Sequence, residues 1–266
     1  MAGFSFATIK LMAVSDVVVV EKLRKSYDDK DVVRGISFSV KAGEIFGILG
    51  PNGAGKTTTL EMVETLREID GGKAKVNGID VAKDPQAVRY AIGVQTQSTA
   101  FMDKVRLTEL LEQQAAAYGE RVNPTELLSD VNLKDKADSF IENLSGGQKQ
   151  RFSIAAALVH KPTVFFMDEP TTGLDPQARR DLWELVQKIN NHGKGTTIIL
   201  TTHYMEEAEQ LCDRVAIMDE GEIVAMDTPA NLIQKLLGKG FKKARQVEQA
   251  NLEDVFIDLT GKELER

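Results

Sequence analysis

The sequence predicts an α/β domain built on a largely parallel central sheet. Three observations carry this. Short β-branched and apolar runs alternate with segments of helical periodicity along most of the chain. The apolar run EIFGILG leads straight into a glycine-rich turn and a helix beginning near Lys56. The chain has 266 residues, 42% of them hydrophobic and 27% charged, which suits one compact domain with a sizeable core.

Taken in order, VVVVEKL and GISFSV read as strands ahead of EIFGILG. Glycines and polar residues at Asp70–Lys73 and Val76–Asp80 read as turns around a short strand. Val105–Tyr118 reads as a helix, with Leu107, Leu110 and Leu111 on one face, inside a mostly helical insert at about 99–160. TVFFMD is the next strand. Asp175 and Pro176 form an N-cap and first-turn pair for a helix that buries Leu182, Leu185, Val186 and Ile189 and is expected to end at Gly193. TTIILTT, a helix around Tyr204–Leu211, and the hairpin VAIMDEGEIVAM turning at Glu220 and Gly221 complete the pattern. Residues 1–13 read as an amino-terminal tail, 14–230 as the main domain and 231–266 as a short carboxyl-terminal extension. Trp183 and Cys212 are assigned to packing.

Charge and composition exclude several classes. With 33 basic against 40 acidic residues the net charge is -7, the opposite of a phosphate-backbone footprint, so nucleic acid is not expected as a partner. A single cysteine rules out an internal disulfide and a cysteine metal cluster, and fits a reducing, cytoplasmic setting. No apolar run approaches the roughly 20 residues needed to span a bilayer.

The chemistry concentrates in a few strings. Gly50-Pro51-Asn52-Gly53-Ala54-Gly55-Lys56-Thr57 matches G-x-x-x-x-G-K-[ST] between a predicted strand and a predicted helix. Glycines let successive backbone N–H groups converge on phosphate oxygens, the helix start adds partial positive charge, Lys56 reaches the β and γ phosphates, and Thr57 is placed to ligate Mg²⁺. Asp168 closes a strand at its carboxyl end, where open α/β sheets bind ligands, and can hold Mg²⁺ directly or through water. Glu169 beside it can orient and deprotonate a water, worth about 10²- to 10⁴-fold in rate. Ser145 is placed to cap a helix through Lys149, Arg151 and Ile154, a second glycine-rich helix start and so a second anion site.

The string Leu144-Ser145-Gly146-Gly147-Gln148, ahead of the Asp168-Glu169 pair, resembles the signature of ABC ATPases. The resemblance extends over Val17–Arg266. It implies a phosphate-loop ABC nucleotide-binding domain with a mostly parallel core sheet, an antiparallel β subdomain and a helical subdomain. It implies that ATP and Mg²⁺ bind, with Asn52, Gly53, Ala54, Gly55, Lys56, Thr57 and Thr58 around the phosphates. In the same way Tyr27 resembles the adenine-stacking aromatic, Gln97 the lid glutamine that senses Mg²⁺ and the attacking water, Gly173-Leu174-Asp175 the D-loop, and His203 the switch histidine. Thr96 stands where many relatives have proline, and Gln95 is a neighbouring competitor for the lid role.

In this family two ATP molecules are sandwiched head to tail, the signature of one subunit facing the phosphate loop of the other. One copy of each motif therefore implies a second ATP-binding subunit, as a homodimer or with a sibling. HYMEEAEQLCDRVAIMDEGEIVAMDTPANL and Leu252-Glu253-Asp254-Val255-Phe256 resemble the ABC-2-type, drug-exporter branch. That branch implies an integral membrane permease as partner and a peripheral location on the cytoplasmic face of the membrane. The alternative is an ABC ATPase acting in translation, repair or cluster assembly. An unrelated kinase or GTPase is excluded by the signature and by the absence of an N-K-x-D string.

Overall fold

The computed structural model describes residues 16–28, 30–96, 101–191, 193, 195–241 and 252–261. In chain order the strands are β1 (Asp16–Tyr27), β2 (Lys30–Lys41), β3 (Ile45–Leu49), β4 (Gly71–Val76), β5 (Ile79–Asp80), β6 (Ile92–Gln95), β7 (Val164–Asp168), β8 (Thr197–Thr202), β9 (Arg214–Asp219) and β10 (Glu222–Asp227). The helices are α1 (Lys56–Val63), α2 (Pro85–Ala91), α3 (Leu107–Ala117), α4 (Pro124–Asp130), α5 (Gly146–Ala157), α6 (Pro176–Asn190), α7 (Met205–Leu211), α8 (Pro229–Gly238) and α9 (Leu252–Thr260).

Two sheets result. The central one has the order β10-β9-β3-β8-β7-β6, parallel throughout except for the β9–β10 hairpin. The other is antiparallel, β2-β1-β4-β5. This is the α/β architecture expected, with its separate antiparallel sheet. β3, β7 and β8 are buried at every residue, as strands covered on both faces must be, and so they read as unbroken apolar runs.

The two-residue period of these strands divides the interior. Ile45, Leu49, Phe165, Met167, Ile198 and Leu200 face a core shared with α3 and α5–α9. Phe46, Ile48, Val164, Phe166 and Ile199 face a second core beneath the antiparallel sheet, α1 and α2. The functional strand ends thus emerge between two packed layers.

Most local expectations hold, for identifiable reasons. Asp175 accepts hydrogen bonds from the N–H groups of Gln177 and Ala178 at 3.0 and 2.9 Å, and Pro176 opens α6. Glu220 and Gly221 turn the β9–β10 hairpin with φ of 47° and 82°. Two expectations need correction. Gly71–Lys73 lie inside β4, not in a turn: Gly72, at φ 82°, meets the bulged backbone of β1 so closely that a Cβ would lie 2.2 Å from the Lys22 carbonyl oxygen. Gly193 does not end α6. Asn191 takes the left-handed position at φ 50°, and the Asn190 side chain accepts from the Gly193 N–H at 2.8 Å while donating to the Gly43 carbonyl at 2.7 Å. Residues 1–13 and Gln97 lie outside the described residues.

Cys212 packs as expected, with a specific complement. A Cβ on Gly47 of β3 would lie 2.6 Å from Cys212 Sγ and 3.2 Å from Val215 Cγ1. Gly47→Ala is therefore expected to cost about 1 to 3 kcal/mol of stability by overpacking. In a Cys212→Ala background the same change should cost clearly less, which a double-mutant cycle by denaturant unfolding measures.

Glu64 closes α1 at 3% exposure. Burial, with Asp168 and Glu61 nearby, pushes its carboxyl up to about 8. A carboxyl whose folded value lies above its unfolded one holds its proton in the fold, so that stabilisation is full below pH 4.5 and is lost as pH rises toward 8. Without nucleotide or Mg²⁺, Glu64→Gln should be the more stable protein at pH 9. The margin is several kcal/mol, about 1.4 for each pH unit crossed. It should shrink toward zero near pH 5, as unfolding titrations at the two pH values will register.

Candidate active site

The site lies where β3, β7 and β8 end side by side. Their parallel register sets Leu49 against Thr202 and Asp168 against Thr201. After β3 the chain turns through Gly50–Gly55 into α1. Gly55 stands at φ 100°, and a Cβ there would meet the Val32 carbonyl oxygen at 2.6 Å, so only glycine fits. Gly53, at φ 81°, faces open space, as a backbone that must approach a ligand closely requires.

Lys56, the first residue of α1, is buried. Its Nζ donates to the Gly50 and Pro51 carbonyls at 2.9 and 3.1 Å and lies 3.2 Å from Glu169 Oε1. Burial pulls its pKa down, while Glu169 and Asp168 resist. The Thr57 hydroxyl lies 3.1 and 3.0 Å from the two Asp168 oxygens, and Thr201 Oγ1 donates to Asp168 Oδ1 at 2.5 Å. Burial raises the Asp168 pKa, against these two hydrogen bonds.

Glu169 occupies a left-handed backbone position, φ 47°, that its N–H stabilises by donating to Thr201 Oγ1 at 3.0 Å. That conformation aims the side chain back toward Lys56. Glu169 Oε2 accepts from Thr172 Oγ1 at 3.2 Å and lies 3.2 Å from His203 Nδ1, a close approach that is not an aligned hydrogen bond. His203 and then Lys56 hold the Glu169 carboxyl down at about 2, outweighing its burial. Five of the sequence-designated residues, Lys56, Thr57, Asp168, Glu169 and His203, therefore meet in one cluster.

The others stand apart. Ser145 and Gln148 form a reciprocal cap at the start of α5, Gln148 N–H to Ser145 Oγ at 3.3 Å and Ser145 N–H to Gln148 Oε1 at 2.9 Å. Ser145 and Gly146 are exposed, a Cβ on Gly146 would meet open space, and Gly147 packs against Ala178 of α6. Among the described residues no hydrogen bond or ion pair joins this turn to the phosphate loop. Asp175 spends its carboxylate on the cap of α6. Tyr27 ends β1 with Lys25 Nζ 5.5 Å and the Arg67 guanidinium 5.3 Å from its ring centre. Asn52 and Gly53 are exposed on the loop and Thr58 is half-buried. The Gln95 amide turns back to donate to the Thr96 carbonyl at 2.7 Å.

Thr201 was not singled out from the sequence, although it contacts both Asp168 and Glu169. Its signal, a hydroxyl near the end of an apolar strand, becomes meaningful only with the β7–β8 register.

Comparison with known proteins agrees with this geometry. The family described as ABC transporter matches residues 33–172. The linearmycin resistance ATP-binding protein LnrL of Bacillus subtilis is 43% identical over 223 residues, 82% of this chain and 71% of that protein. A Nod factor export ATP-binding protein I of Burkholderia orbicola is 37% identical, covering 91% of this chain and 96% of that one. A solved ATP-binding subunit of an ABC transporter superposes with a TM-score of 0.78 at 29% identity, over 92% of this chain and 99% of that one. A phosphate loop facing buried Asp168 and the adjacent Glu169, on this sheet and with these relatives, has one reading: the chain belongs to the ABC transporter family, as an ATP-hydrolysing, ATP-binding subunit of the drug-resistance and export type.

Proposed function

We propose that this chain powers export through a separate integral membrane permease, as one of two ATP-binding subunits held at the cytoplasmic face of the membrane. Among the described residues no helix is long and apolar enough to cross a membrane. The names of the relatives, linearmycin resistance and Nod factor export, support the outward direction.

The observation that carries the catalytic assignment is the pairing of Lys56 with Glu169 beside the Thr57–Asp168 contact. The phosphates of ATP would lie along the amides of Asn52–Thr58, with Tyr27 stacking on adenine. Lys56 would exchange the Gly50 and Pro51 carbonyls and Glu169 for phosphate oxygens. Thr57 Oγ1 and the Asp168 carboxylate present hard oxygen donors within 3.0 to 3.1 Å of each other, which suits a small divalent ion. Mg²⁺ there would neutralise charge on the transferring phosphoryl group, and Gln97 would complete its surroundings.

Glu169 serves as general base in this scheme. Held at about 2, its carboxylate is too weak a base to take a proton from water. Transfer of Lys56 to the phosphate removes one of the two groups that depress it, so phosphate binding and activation of the base are one event. His203 steadies the same carboxylate and can face the γ phosphate from the end of β8. Ser145–Gln148, the capped start of α5 with Ser145 and Gly146 exposed, would bind the ATP held by the second subunit, with Asp175 at the same interface.

Lys56→Ala and Glu169→Gln are each expected to lower ATP hydrolysis by at least about 10²-fold. Full activity of either variant overturns the site assignment. Ultracentrifugation of Glu169→Gln should show dimers formed with ATP and Mg²⁺ and lost on Ser145→Arg substitution. For the partner, the tagged Glu169→Gln chain is captured from native membranes in mild detergent with ATP and Mg²⁺. A polytopic membrane protein should accompany it. A purely cytosolic or ribosomal set of proteins would place the chain among ABC ATPases that do not transport.

A further inference from the structure

Behind the site, on the face of the central sheet away from α1, α7 carries a carboxylate with no exposure to solvent, Glu207. A buried glutamate is costly unless its oxygens are met by donors, and the donors here come from elements that each lead to a different part of the site. The Trp183 indole N–H of α6 donates to Glu207 Oε1 at 3.1 Å. The hydroxyls of Thr202, the residue before His203, and Thr171, two residues after Glu169, face the carboxylate and lower its pKa against the rise that burial imposes. Arg179, also on α6, adds a favourable charge and stacks on Tyr204 at 4.4 Å.

This junction is incompletely closed. Glu207 Oε2 and Thr171 Oγ1 are both buried and neither has an aligned hydrogen-bond partner. A small displacement of the Glu169–Thr172 turn relative to α7 would therefore complete or break their contact. We infer that Glu207 is a positioning residue that couples the Glu169 turn, the His203 strand end and the helix capped by Asp175, through its contacts with Thr171, Thr202 and Trp183. The inference rests on the assignment of Lys56, Glu169 and His203 made above. It gives Trp183 a part beyond packing: its indole bonds a side chain on which the three segments converge.

Trp183 is the only tryptophan in the chain, so its fluorescence reports on this junction without labelling. The full-length chain is titrated with a non-hydrolysable ATP analogue and Mg²⁺, and steady-state hydrolysis is measured in parallel. An analogue-dependent shift in Trp183 emission is expected in the natural sequence and should vanish in Lys56→Ala. Glu207→Ala should lose the shift and lower kcat by about 10- to 100-fold, the cost of slightly misplaced reacting groups. Its KM for ATP should stay within roughly 3-fold, because the phosphate loop is untouched. Glu207→Gln keeps an oxygen for the indole and an amide for the threonine hydroxyls, and should recover most of kcat and of the shift. Normal kcat in Glu207→Ala with a dead Lys56→Ala overturns this inference alone. Equal loss of kcat and KM in both Glu207 variants, with lowered Tm, also overturns it, by making the residue a packing element. Hydrolysis by Lys56→Ala at the natural rate would instead overturn the site on which the inference rests.

Discussion

The contact on which the rest of the site depends is the one between Lys56 and Glu169, 3.2 Å apart with little exposure on either side chain. Each group alone would carry a heavy desolvation cost. Together they share it, with the Gly50 and Pro51 carbonyls and His203 taking up the remaining charge. The pair places the loop after β3 against the turn after β7 in a closed, self-satisfied arrangement. In the proposed mechanism a phosphate that takes the lysine also releases the carboxylate, so electrostatics would link occupancy of the loop to the basicity of Glu169.

The fold supplies the rigidity that this exchange needs. Three adjacent parallel strands, buried on both faces, deliver the phosphate loop, the Asp168-Glu169 pair and the Thr201–His203 stretch to one edge in fixed register. Thr201 shows how tightly this is built: its hydroxyl donates to Asp168 and accepts from the Glu169 N–H, so it fixes both acids at once. Close approaches such as Gly47 against Cys212 leave the strands and α7 little room to slide.

The signature turn belongs to a different part of the economy of the molecule. Its Ser145–Gln148 cap is complete in itself, and Gly146 presents bare backbone to open space. Among the described residues no hydrogen bond or ion pair joins this turn to the chain's own phosphate loop, and a helix start of this kind is suited to an anion. This arrangement suits the proposal that a second subunit completes the site.

Much of this was legible in the sequence by itself, because it depends on neighbours along the chain. The phosphate loop needs glycines at set intervals before a helix, Asp175-Pro176 cap and open α6, Glu220-Gly221 turn a hairpin, and continuous apolar runs announce strands buried on both faces. Other features depend on register between distant segments. Thr57 and Asp168 meet although 111 residues separate them, and the importance of Thr201 follows only from its place opposite Asp168. The glycines of β4 read as a turn because the bulge that demands them lies in β1. Trp183 and Glu207 look like ordinary members of two amphipathic helices until the helices pack. Only tertiary structure could decide these, since a hydrogen bond between side chains on different elements is set by how those elements are placed, and local sequence carries no measure of that.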